Sequence, residues 1–338
     1  MKILIIGGTG TISAPITRAL AADPDNTVYM LNRGRHSDPF GNSVIRLRVD
    51  INDTEAAEQI LPQGTFDSVI DFILFTREDA EKRTALFKDR TKQYIFISTN
   101  VAADHEYRLI AEESLPLGNS YSRYGTNKAE AEKYFREADI PYTIVRPTQT
   151  YSDARIPLSV KPGSCWAVIS RILRDQPVIV HGDGEGIWAG THADDFARAF
   201  IPLVGNTRTL GETYQIVNPE PYTWNMLYHT LGELLGKETK IVHIPTEFLM
   251  RCQEYDFTES IRGDKYHSVL FDIRKLEEVT GKLHFATDMR TGLQKYLAYM
   301  DEHPELKMED PAYDAWCDRV ITAYRKASDS FAEYLLNA

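Results

Sequence analysis

The segment YSRYGTNKAEAEKYF, residues 121–135, sets Tyr124 four residues ahead of Lys128. In a helix, residues four apart lie about one turn apart, so the phenol and the ammonium share a face. A cation beside a phenol favours phenolate and lowers its pKa. Tyr124 could then exchange a proton near neutral pH. A tyrosine packed over a lysine stem has the same spacing, so the pair needs support from elsewhere in the chain.

A second stretch with chemistry in it is GGTGTIS, Gly7 to Ser13. Gly7, Gly10 and Ser13 follow the spacing G-x-x-G-x-x-[G/S], between the apolar run Ile3 to Ile6 and a helical pattern from Ala14 to Ala22. Glycine lets a strand-to-helix turn reverse tightly and lets a pyrophosphate approach the backbone, and the helix N-terminus offers N–H groups to anionic oxygens. Gly7, Thr9, Gly10, Thr11 and Ile12 are therefore candidate cofactor contacts, the alternative being a purely structural turn. After the second strand, where an acidic residue would bind the ribose 2′-hydroxyl of NAD, the chain has Asn32, Arg33, Gly34 and Arg35. A guanidinium suits a 2′-phosphate, which leans the cofactor expectation from NAD(P) in general toward NADP. Asp50 and Ile51, after the third strand, are placed to hold the adenine; Asp50 serves equally well as a turn or cap residue.

These residues need elements to carry them. Strand patterns at Ile3 to Ile6, Val28 to Leu31, Ser43 to Val49, Ser68 to Phe75, Gln93 to Ser98 and Tyr142 to Arg146 alternate with helical ones at Asp53 to Leu61, Arg77 to Phe87 and Tyr124 to Ala138. That rhythm implies an α/β fold, a Rossmann-type doubly wound parallel sheet. After Pro147 the rhythm loosens. The expected division is a dinucleotide-binding core over 1–150, a smaller, mixed substrate-binding part over 151–300 that returns elements to the main sheet, and a helical extension over 301–338. Trp316, Val320 and Tyr324 share a face of that last helix.

Composition bounds the partners. The chain has 338 residues and a formal net charge of −11, and it has no long basic run, so no nucleic-acid partner is expected. Its three cysteines are far apart and show no metal-ligand spacing, and the histidines form no chelating pair, so no metal is expected. No apolar run reaches the roughly 18 residues of a membrane span. A cytoplasmic setting without membrane attachment is the expectation.

The glycine turn and the Tyr-x-x-x-Lys pair together resemble the extended short-chain dehydrogenase/reductase family, the NAD-dependent epimerase/dehydratase group. FISTN (96–100) is similar to the strand end bearing that family's catalytic Ser/Thr, and IVRPTQTYSD (144–153) to its Arg-Pro segment. VIVHGDGEGIWAGTHADDFARAF (178–200) is similar to its Gly-Asp-Gly hairpin and His-Val-x-Asp segment. The resemblance implies Tyr124 as acid/base, Lys128 as the residue that binds the nicotinamide ribose and lowers the tyrosine pKa, and Thr99 as hydrogen-bond donor to the reacting oxygen; Ser98 and Asn100 are the alternatives to Thr99. It also implies that Phe72 and Ile73 wall the cofactor and that Pro147 and Thr148 lie near its nicotinamide end. A homodimer through the Tyr/Lys helix is a further implication.

The sequence departs from the family where nucleotide-sugar enzymes carry a phosphate-gripping Arg-Asp. The corresponding positions read Trp188 and Ala189. Trp188 there is either an aromatic surface for a sugar ring or core. Asn100, Arg155, Trp188 and Arg262 are the candidate substrate contacts, and Lys161, Lys265 and His267 are further cleft candidates. Thr191-His192-Ala193-Asp194 also reads as a capping box. The expected function is an NAD(P)-dependent oxidoreductase or epimerase acting on a hydroxyl or keto group of a sugar or sugar-nucleotide-like substrate, in carbohydrate metabolism. A dehydratase ranks lower, because Asn100-Val101 stands where an acidic pair would. A non-catalytic dinucleotide sensor or RNA-binding protein of the same fold is the alternative.

Overall fold

The computed structural model describes residues 1–35, 38–106, 108–160 and 163–337. They form two compact units, each assembled from separate stretches of chain. The first comprises Met1–Ser152, Ala189–Glu220 and Val269–Thr287; the second comprises Asp153–Trp188, Pro221–Ser268 and Asp288–Ala338. Beyond residue 152 the chain thus alternates between units, and residues 301–337 belong to the second.

The sheet of the first unit has seven strands: Lys2–Ile6 (β1), Thr27–Asn32 (β2), Ile45–Arg48 (β3), Ser68–Asp71 (β4), Tyr94–Ile97 (β5), Tyr142–Pro147 (β6) and Glu212–Ile216 (β7). All pairs are parallel, in the order β3-β2-β1-β4-β5-β6-β7. The chain direction across the sheet reverses between β1 and β4, and ligands of such sheets bind beyond the strand carboxyl ends at that reversal. Helices Ser13–Ala22 (α1), Thr54–Ile60 (α2), Arg77–Phe87 (α3) and Arg123–Glu137 (α4) cover the faces.

Alternation along β1 separates two cores. Ile3 and Ile5 pack with Ile16, Leu20 and Phe200, while Leu4 and Ile6 pack with Ala57, Phe87 and Phe135. Burial on both faces is why β1 is a continuous apolar run, and each such side chain stabilises the fold by roughly 2 kcal/mol. β4 is shorter than its apolar pattern, because the Asp71 carboxylate accepts the Ile73 N–H at 2.8 Å and turns the chain out of the strand. Thr76 and Asp79 then form the reciprocal cap that starts α3. The helix Ala193–Phe200 is capped by His192 rather than by Thr191, whose hydroxyl instead accepts the Asn218 N–H at 2.8 Å.

In the second unit, strands Val178–His181 and Ile241–Ile244 pair in parallel, and Ile187–Trp188 pairs antiparallel with Tyr222–Thr223. The helix Pro311–Leu336 is tied to the helix Cys165–Leu173. Arg171 donates to Asp314 at 3.1 Å and to Asp318 at 2.6 Å, and Trp316 stacks on Tyr313 beside Phe257.

Candidate functional site

The glycine turn follows β1 and is pinned from within. Ser13 Oγ accepts the Gly10 N–H and donates to the Gly7 carbonyl, both at 2.7 Å. Gly7 sits at φ +80°, and a Cβ there would lie 2.6 Å from Ile73 Cγ2. A side chain at residue 7 would therefore collide with Ile73 and be strained at that φ, so the turn packs this closely only with glycine. No side chain caps the N-terminus of α1, and no acidic residue stands in its first turn. The Ala14 N–H donates to the Gly10 carbonyl at 2.9 Å and Pro15 has no N–H, so an anion here would meet the N–H groups that precede Ala14.

A cavity of about 390 Å³ opens at this turn, lined by Gly7, Thr9, Gly10, Asn32, Arg33, Asp50, Ile51 and Ile73 among others. Eight sequence-predicted cofactor residues thus surround one space. Thr11 and Ile12 complete the turn, with Ile12 packed against the Ile3 core. Phe72 lies against Phe200, its ring 6.4 Å away. Pro147 ends β6, and the buried Thr148 hydroxyl that follows has no hydrogen-bond partner. Arg33 and Asp50 approach to 3.9 Å, both about half exposed, which makes a weak ion pair. Asp50 also acts as a turn residue, accepting the Asn52 N–H at 3.0 Å.

Tyr124 and Lys128 stand on the first turns of α4, with Ser122 Oγ capping the helix by accepting the Gly125 N–H at 2.9 Å. Lys128 Nζ donates to the Leu74 carbonyl at 2.5 Å and to the Ile97 carbonyl at 2.7 Å. It lies 4.9 Å from the ring centres of Phe75 and Phe96 and 5.8 Å from that of Tyr124. Burial pulls its pKa from 10.5 to about 8, against the opposing charges of Asp71 and Glu132. Tyr124 itself is 42% exposed.

Consecutive residues 98–100 have divided tasks. Ser98 Oγ donates to Glu132 Oε1 at 2.6 Å, and Arg146 grips the same carboxylate through Nε at 2.9 Å and Nη2 at 2.7 Å. This buried cluster fixes α4 to the ends of β5 and β6. Asn100 is buried too, its amide donating to the Arg146 carbonyl at 3.3 Å. Thr99 Oγ1 accepts the Val101 N–H at 3.2 Å, which leaves its O–H free to donate. The Thr99–Val101 turn lies against the start of α4: a Cβ on Gly125 would fall 2.4 Å from the Val101 carbonyl oxygen. Glu132 and Gly125 are site residues that the sequence reading did not name, and Ser98, an alternative there to Thr99, is instead bound to Glu132. Glu132 follows Lys128 by four, a spacing that would have signalled a shared helix face.

The catalytic candidates belong to the first unit, whereas Arg155, Trp188 and Arg262 belong to the second. Arg155 is exposed. Trp188 is buried, in the strand paired with Tyr222. The Arg262 guanidinium lies 4.1 Å over the Tyr266 ring and donates to His267 Nε2 at 2.9 Å. Lys265 Nζ donates to the Leu158 and Ser159 carbonyls at 2.8 and 3.1 Å. Lys161 lies outside the described residues. A larger cavity of about 520 Å³ in the first unit, lined by Glu113, Arg136, Glu212 and Lys275 among others, holds no sequence-predicted site residue. Lys275 pairs there with Glu212 at 2.8 Å and Arg274 with Asp272, while Arg136 pairs with Glu132 outside the lining. No cluster of potential metal ligands occurs among the described residues.

Residues 3–217 match the NAD dependent epimerase/dehydratase family. The chain belongs to that family. Its members' fold is borne out by the parallel sheet, and the chain is an NAD-dependent enzyme of the short-chain dehydrogenase/reductase type. It is similar to 2′-dehydrokanamycin reductase of Streptomyces kanamyceticus, at 24% identity over 82% of this chain and 79% of that protein. It is also similar to the chloroplast stem-loop binding protein of 41 kDa b of Arabidopsis thaliana, at 26% identity over 73% of this chain and 67% of that one. The fold matches that of the Bacillus cereus UDP-glucuronic acid 4-epimerase, solved with UDP-glucuronic acid and NAD. That match has a TM-score of 0.69 at 18% identity, over 90% of this chain and 100% of the other. No helix among the described residues is long and apolar enough to cross a membrane. A dinucleotide fits the chain's own residues: no side chain caps α1 where it faces the turn, and the cavity runs from that turn to Arg33 and Asp50.

Proposed function

We propose that this protein uses NADP, or NAD, to oxidise or reduce a hydroxyl or keto group on a sugar-like substrate. Bound NAD(P) supplies a hydride acceptor and donor at its nicotinamide carbon. Tyr124 Oη takes the proton of the substrate hydroxyl, or returns it. The Lys128 ammonium spends two N–H groups on carbonyl oxygens, and a third remains for a ribose hydroxyl. Its charge, poorly screened where it is buried, favours the phenolate of Tyr124. Thr99 donates to the reacting oxygen. It is favoured over Ser98, whose hydroxyl hydrogen is engaged by Glu132, and over Asn100, which is buried with its amide turned to the Arg146 carbonyl. The observation that carries this reading is the buried lysine held under the Tyr124 ring at the edge of β5.

Arg33 at the mouth of the cavity supports NADP over NAD, and its weak hold on Asp50 leaves it able to turn to a 2′-phosphate. A released cofactor, as in a reductase, agrees with that leaning. The name of one relative, a stem-loop binding protein, is the observation that favours the nucleic-acid reading. The net charge of −11 weighs against it. Titration of the purified protein with NADPH and NADH, read by nicotinamide fluorescence, tests the cofactor, and mass spectrometry of co-purifying small molecules tests the substrate class. Saturable uptake of NADPH with turnover on a keto sugar is expected. Failure to bind either dinucleotide overturns the reading.

A further inference from the structure

One buried cation in the first unit has no part in the chemistry above. Arg83, on α3, is 1% exposed, and its guanidinium is spent on three partners. Nε donates to Asp71 Oδ2 at 3.1 Å, Nη1 to the Ile51 carbonyl at 3.2 Å, and Nη2 to Asn52 Oδ1 at 3.1 Å. Asp71 is equally committed: Oδ2 also accepts the Tyr94 hydroxyl at 2.8 Å, and Oδ1 the Ile73 N–H at 2.8 Å.

Both segments that this pair holds line the dinucleotide cavity. Ile51 and its neighbour Asp50 form one wall, and Ile73, held through Asp71, forms another. Asp50 in turn accepts the Asn52 N–H, so the turn carrying Asp50 is closed at both ends, by its own carboxylate and by Arg83. The planar guanidinium fork suits this task, because its five N–H groups have fixed directions and cannot lose their charge. Taking this charge out of water is costly, and the three hydrogen bonds that offset the cost are the ones that tie the two segments together.

We propose that Arg83 is a positioning residue for the adenosine end of the dinucleotide. It touches no ligand atom. It fixes the spacing between the 50–52 turn and the β4 end, and so sets the width of the slot in which an adenine lies. The inference rests on the dinucleotide reading of this cavity.

The test compares NADPH with AMP, which carries only the adenosine end, as ligands of the full-length protein. Arg83→Met removes the fork, and Asn52→Ala removes one of its contacts from an exposed residue, so the second variant folds even where the first does not. Calorimetry should show both ligands weakened by the same factor. About tenfold is expected for Arg83→Met and about threefold for Asn52→Ala, the scale of losing hydrogen bonds to a charged group. Turnover at saturating cofactor should be unchanged in Asn52→Ala, with only the cofactor KM raised. If Asn52→Ala binds NADPH and AMP as tightly as the parent, or if NADPH weakens while AMP does not, the proposal is overturned. A parent protein that binds neither ligand overturns the dinucleotide reading itself, and the positioning role with it.

Discussion

Each unit buries a lysine in nearly the same way. Lys128 gives two N–H groups to backbone carbonyls and lies over aromatic rings; Lys265 gives two to the Leu158 and Ser159 carbonyls and lies 5.4 Å over Trp224. The shared arrangement is a way to bury an ammonium, and it says nothing about catalysis. The difference lies in what stands alongside. Lys128 has a half-exposed tyrosine one turn away, on a helix fixed by Glu132 and Arg146 beside a glycine turn. Lys265 ends a π-helical turn and joins two backbone segments. A buried lysine becomes chemical only through its neighbours.

The contrast can be broken most directly at Tyr124. Tyr124→Phe should lower turnover by about 10²–10⁴-fold, the usual share of a general acid/base, while NADPH affinity stays unchanged. Equal turnover in that variant, measured at saturating cofactor, would sink the assignment. Lys128→Met should cost turnover on the same scale and also change the pH profile of stability. The folded ammonium titrates near 8 and the unfolded one at 10.5, so between those values the unfolded chain binds more protons and the parent gains stability as pH rises. That gain amounts to about 3 kcal/mol and should be missing in Lys128→Met, as read by urea denaturation at pH 8 and 10.5. Lys265→Met should instead cost about 1–3 kcal/mol of stability by leaving two carbonyls short of a donor, without the dinucleotide affinity moving. A loss of NADPH binding there would erase the distinction between the two lysines.

A finer test is Gly125→Ala. The added methyl meets the Val101 carbonyl at 2.4 Å and must push the Thr99 turn away from α4. A destabilisation of about 1–3 kcal/mol is expected, together with lower turnover and unchanged cofactor binding. The smallest effect belongs to the end of the last helix. Phe331, Tyr334 and Leu335 are 65%, 72% and 59% exposed, so ending the chain after Ala327 should shift the melting temperature by less than about 2 °C. Ending it before Trp316, which is buried, should unfold the second unit.

The sequence carried the first unit well because its strands are buried on both faces and its turns have narrow chemical requirements. Ile3 to Ile6 could hardly be anything but a central strand, and Gly7 with Ser13 marks a turn with a defined task. The Tyr124–Lys128 spacing was equally legible, since helical geometry alone aligns it. The Glu132–Arg146–Ser98 cluster and the Arg83–Asp71 pair were not, because their members stand on different elements and meet only when the sheet forms. The second unit resisted for a related reason. Its strands have only two to four residues and the unit comes from three stretches, so no local period announces its sheets. Trp188 illustrates this: an indole suits a ligand face and a core equally well, and burial at 2% exposure could not be read from its neighbours.

The interleaving of the two units has a consequence on the ribosome. β7 is the last strand of the main sheet, and it leaves the exit tunnel only after the Cys165–Leu173 helix and the Val178–His181 strand have been made. At about 5–20 residues per second, the outer edge of β6 therefore waits several seconds with its amide and carbonyl groups unpaired. Nascent chains stalled in that interval should be the form of this protein most dependent on chaperones.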